Sequence, residues 1–95
     1  MSSKYTHIVG YLRIFEQCLD DNHEIALKFP QYGDPFPLLV TRGGGDEFIL
    51  FELGTSDGDT FAIVQNYSQI NFAITALPKK VPDKPARRVG FINDD

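Results

Sequence analysis

Gln65-Asn66-Tyr67-Ser68-Gln69 is the densest polar and aromatic cluster in the chain. Carboxamides can read base edges and ribose hydroxyls, and a tyrosine can stack on a base. The same five residues also read as a plain corner, its side chains bonded to their own backbone. Arg42-Gly43-Gly44-Gly45 is a second candidate, because exposed glycine amides beside an arginine can hold an anion. No Lys-Ser/Thr follows it, so it is not a P-loop, and a flexible bend between strands explains it as well.

Catalytic groupings are sparse. Nucleophilic catalysis needs a thiol or hydroxyl beside a histidine and an orienting acid. Cys18 falls on the apolar flank of a helical stripe, where a buried, inert thiol is expected, and His7 and His23 lie in separate segments. His23 and Glu24 are adjacent, so a strand points them to opposite faces. Ser56, Asp57 and Asp59 lack the spacing and terminal glutamate of a calcium loop and read as turn chemistry. No enzyme activity, metal or cofactor is expected.

The ending is basic. Residues 1–78 carry four basic side chains against ten acidic ones, a net of −6, whereas residues 79–95 carry five against three, a net of +2. An acidic body argues against duplex DNA as a partner, since a basic face supplies most of that affinity. Within the ending, Val89-Gly90-Phe91-Ile92 is an apolar island. It either belongs to a loose, solubilising tail or docks as an edge strand on a neighbouring subunit, with Arg87, Arg88 and Phe91 making the contact.

These candidates sit on a chain of 95 residues, 42% hydrophobic and 23% charged, which is one ordinary globular domain. A domain of this size buries only about 60–65% of its unfolded surface, so association with further copies is a natural support. No apolar run is long enough to span a bilayer and no signal-peptide pattern opens the sequence. With a single cysteine and no disulfide framework, a cytoplasmic protein of bacterial or phage origin is expected.

Period and punctuation supply the elements. Tyr5, Ile8, Leu12, Phe15 and Leu19 form one helical stripe, widened by Val9, Tyr11 and Cys18, and predict a helix over 3–20 capped by Ser3. Asp20-Asp21-Asn22 ends it. Alternation then predicts strands at His23–Phe29, from Phe36 to Val40, at Asp46–Leu53 and at Thr60–Asn66. Pro37 hints at an edge or bulge, and Gly54–Asp59 is the clearest hairpin loop. The third strand is apolar on both faces, so a helix or another subunit must cover its second face. Residues 70–77 favour a fifth strand, although a helix capped by Ser68 also fits them. The domain is thus residues 1–78, a helix followed by a five-stranded antiparallel barrel, mainly β in class, with an extended, proline-containing tail over 79–95.

A helix followed by five short strands resembles the Sm-like small β-barrels, among them the Hfq-type bacterial RNA chaperones. Asp46-Glu47-Phe48-Ile49-Leu50-Phe51 is similar to the start of strand three in that family. Val64-Gln65-Asn66 falls on its Tyr-Lys-His pore triplet, and Leu77-Pro78 on the Val-Pro that closes strand five. This chain departs from the family at Val40, where a glycine is expected, and at Gln65-Asn66, which lack the family's basic and histidine pair. The ending Lys84-Pro85-Ala86-Arg87-Arg88-Val89-Gly90-Phe91 is similar to a small bacterial family of no assigned function, which implies that the tail is part of the working unit. The resemblance implies a homo-oligomeric ring, and the polar cluster Gln65–Gln69, with Arg42, Gly43 and Gly44, is the place where it is expected to bind single-stranded RNA or a nucleotide. Two alternatives stand beside it: a phage-type protein that sequesters a nucleotide signal, and an adaptor that binds protein through its tail.

Overall fold

The computed structural model describes residues 3–45 and 47–93. A helix, α1 (Ser3–Gln17), precedes strands β1 (His23–Lys28), β2 (Phe36–Gly44), β3 (Phe48–Gly54) and β4 (Thr60–Asn66). A 3₁₀ turn (Tyr67–Gln69), β5 (Ala73–Pro78) and β6 (Gly90–Asn93) follow. The side chain of Ser3, expected to cap the helix, lies outside the described residues, as do Asp46 of the strand-three motif and Asp94 and Asp95 of the tail. The helix is shorter than its apolar stripe suggests. After Gln17 the chain tightens, with Cys18 and Leu19 donating to the carbonyls three residues back. Cys18 is consequently exposed, not buried.

The strands form one antiparallel sheet in the order β4-β3-β2-β1-β5, onto which β6 adds. β2 is the bent strand. Its first residues, Phe36 and Pro37, pair with β1. Beyond an irregularity between Leu38 and Val40 it runs against β3 as far as Gly44 opposite Phe48. The bend therefore sits near Pro37, which has no amide hydrogen to donate, and not at the triple glycine.

The expected barrel is not closed. β4 and β5 end the sheet on opposite sides and do not pair with each other. The link between them spends its residues on the core instead. Tyr67, Ile70 and Phe72 pack against it, and the Phe72 ring centroid lies 5.1 Å from that of Phe51 and 5.7 Å from that of Phe29. Side chains fill the gap that a ladder of hydrogen bonds would close. β5 is a strand, as its β-branched residues favour, but it begins only at Ala73, where Lys28 is its partner.

One core holds the molecule. α1 contributes Tyr5, Val9 and Leu12, and the sheet contributes Ile25, Leu27, Leu38, Ile49, Phe51, Leu53 and Ile63. Phe29, just after β1, completes it. Each such side chain is worth about 1.5–3 kcal/mol when fully buried. Two strands differ from the alternating pattern. β1 is buried on both faces, Glu24 and Ala26 included. The second face of β3, carrying Phe48 and Leu50, is only partly covered, so α1 covers one face of that strand and leaves the other open.

Candidate functional site

Residues at matching register share a face of a sheet. Gly43, Ile49 and Gln65 form one row across β2, β3 and β4, and Gly44, Phe48 and Asn66 form the next. The glycines and the polar corner thus lie at the same end of the sheet. The row of Arg42, Leu50 and Val64 points to the outer face, away from α1. Arg42 is exposed there, and Val64 is 58% exposed.

The corner is built largely from its own hydrogen bonds. Asn66 Oδ1 accepts from the Ser68 amide at 2.9 Å and from the Ser68 hydroxyl at 2.8 Å. The Tyr67 amide donates to the Glu47 carbonyl at 2.8 Å, which ties the corner to the β2–β3 turn. Gln65 faces the core side, where its Oε1 is buried and has no hydrogen-bond partner among the described residues. Ser68 and Gln69 are exposed. Of the five residues proposed to read a ligand, these two stand clear in solvent, and Asn66 offers its amide nitrogen beside them.

Gly43 is packed against the helix and its face is not open to an anion. A Cβ on Gly43 would lie 2.1 Å from Cδ2 of Tyr5, so this glycine exists to let α1 lie against the sheet. Its backbone is covered by that ring. Gly44 pairs with Phe48 in the ladder. Gly45, at φ +76°, takes the left-handed turn conformation into β3.

The tail is fastened along its length. The Arg88 guanidinium donates to the carbonyls of His23 (2.8 Å) and Asp20 (3.0 Å). The Arg87 amide donates to the buried carboxylate of Glu24, and the Val89 amide to Glu16 Oε2 at 2.9 Å. β6 then pairs in parallel with Val40–Gly43 of β2. Phe91 lies under Arg13, whose Cζ is 4.7 Å from the ring centroid. The Tyr5 hydroxyl reaches the carbonyls of Ile92 (2.7 Å) and Thr41 (3.2 Å). Arg87, Arg88 and Phe91 thus make their contacts within this same chain.

Between the end of β5 and the tail lies a groove of about 310 Å³, lined by Lys79, Lys80, Lys84 and Arg87 with Glu24 and Ala86. Its signal was Pro82. Proline favours the second position of a β-turn, and the Lys84 amide donates to the Val81 carbonyl across that turn. Elsewhere, His23 Nδ1 lies 2.8 Å from Asp20 Oδ1. This bond, with the Asn22 amide, holds the Asp20 carboxyl below its ordinary value. The Gly54–Asp59 loop is a closed turn, with the Thr55 amide donating to the Asp59 carbonyl at 2.9 Å. No metal-holding cluster of histidine, cysteine or carboxylates occurs among the described residues, and no helix there is long and apolar enough to cross a membrane. Compared with protein-family models, with curated proteins and with solved structures, the chain matches none.

Proposed function

We propose that the protein is a non-enzymatic binding module that assembles from identical subunits into a ring of Sm-like type and takes single-stranded RNA or a nucleotide. One observation carries this reading. The sheet is open, and its two end strands, β4 and β5, have no partner on their outer sides among the described residues. Unpaired edges template further pairing. A β4 edge joined to the β5 edge of the next copy is a head-to-tail contact, which closes into a ring when the rotation allows. The polar corner follows β4 directly, so it falls at such a junction. Ser68, Gln69 and the Asn66 amide then face a ligand from each subunit.

Light scattering on the purified chain tests the assembly, and calorimetric titration with oligoadenylate, oligouridylate and mononucleotides tests the ligand. A mass several times that of one chain, with binding that weakens as salt rises, is the expected result. A concentration-independent monomer that gives no heat with any of these ligands ends the proposal.

A further inference from the structure

We propose that the groove between the end of β5 and the tail is a binding site for a small phosphate-bearing anion, independent of the polar corner and of any assembly. The Val81–Lys84 turn doubles the chain back on itself. Lys79 and Lys80 precede it, Lys84 and Arg87 follow, and all four line the same groove. Asp83, inside the turn, is not part of the lining. The carboxylate present is Glu24, which is 7% exposed and accepts the Arg87 amide. The lining therefore carries four cations against one carboxylate, and the remainder of the chain carries five against twelve. A concave basic site on an otherwise acidic surface concentrates anions locally.

One of the cations is held in place, and the backbone of a second is anchored. Lys80 Nζ donates to the Thr55 carbonyl at 2.7 Å, which holds that ammonium against the β3–β4 loop. The Arg87 backbone is fixed by Glu24, and the next residue is anchored through its guanidinium. The Arg87 guanidinium is exposed and suits the forked geometry of a phosphate. The volume, about 310 Å³, lies at the small end of ligand sites. That suits inorganic phosphate or pyrophosphate, or the phosphate end of a mononucleotide.

The test is a titration of the full-length chain with inorganic pyrophosphate, a mononucleoside diphosphate and, as control, sodium sulfate at matched ionic strength, followed by amide chemical shifts. Saturable shifts confined to residues 79–88 and Glu24, with pyrophosphate and the diphosphate but weaker with sulfate, are expected. Equal affinity for the two phosphates identifies the phosphate as the group that is read. A tighter diphosphate adds a base contact to the same site. The double variant Lys84→Gln, Arg87→Gln removes two exposed charges and weakens pyrophosphate binding at least about tenfold, with the fold-reporting shifts of β1 to β4 unchanged. Shifts that track sulfate equally, shifts confined to residues 65–69, or an unchanged affinity in the variant each overturn the proposal. The ring can fail while this site stands, because the readout is taken on the chain whatever its mass.

Discussion

Gly43 and Thr41 lie two residues apart on the same face of β2, and each sets a limit on what the helix-covered face tolerates. Gly43→Ala forces a methyl group into the Tyr5 ring, where the nearest carbon would be 2.1 Å away. The ring cannot swing clear without losing its bonds to Thr41 and Ile92. The variant is expected to lose about 1–3 kcal/mol, a fall in melting temperature of roughly 4–8 °C per kcal/mol for a domain of this size. Thr41 works the other way. It is fully buried and its hydroxyl has no hydrogen-bond partner among the described residues. Thr41→Val keeps the shape and removes an uncompensated polar group, so thermal melts are expected to show it neutral or more stable by about 1 kcal/mol. Asp20 supplies a pH dependence. Its carboxyl titrates below the ordinary 3.8 because His23 and the Asn22 amide bond its charged form. That contribution is present above the unfolded-state value and is lost as pH falls through the lower folded-state value. The stability difference between the native chain and Asp20→Asn is therefore expected to shrink on acidification below about pH 4, measured by melts across that range.

At the scale of elements, the tail is where the sequence was least legible. Alternation marked β1 to β4 because each has a core face, and a hydrophobic face leaves a period of two in the residues. β6 spans four residues and includes a glycine, too short for a period to show. Its place depends on contacts far away in sequence, Tyr5 to Ile92 and Glu16 to Val89, which no local pattern encodes. The same holds for Glu24. Alternation sets Glu24 on the face of β1 opposite Ile25 and Leu27, and the tail covers that face. The corner was legible as turn chemistry, since an Asn two residues before a serine amide is a local motif. The triple glycine is ambiguous in sequence because an anion loop, a bend and a close helix contact all need glycine, and the Tyr5 ring, distant in sequence, accounts for Gly43. Removing the tail tests whether β6 belongs to the fold. Deletion of residues 79–95 uncovers the Val40–Gly43 edge and the partly buried Val89, Phe91 and Ile92 contacts. A loss of about 3 kcal/mol or more is expected, with amide exchange protection collapsing at Thr41–Gly43. A truncated chain that melts like the full one would make the tail an appendage, as an adaptor requires.

For the whole molecule, the issue is what an open sheet does with its edges. A domain of 95 residues has little stability to spare, and this one leaves a partly apolar outer face beside a strand edge that has no partner among the described residues. Val64 is 58% exposed and Phe48 is 49% exposed on that face. Single exposed apolar side chains are ordinary. Here they flank the edge through which β4 pairs with the next copy under the proposed assembly, and that gives them a purpose. Val64→Lys separates the two explanations. It places a charge beside the β4 edge, a substitution that natural sheets use to block pairing. The side chain already faces solvent, so the isolated fold is expected to change by no more than about 0.5 kcal/mol. If β4 is the assembly edge, light scattering shows the variant falling to the mass of one chain while its melt, at the same protein concentration, loses only what association contributed. If the variant keeps the native mass, the copies meet elsewhere, and the polar corner after β4 no longer lies at a subunit junction.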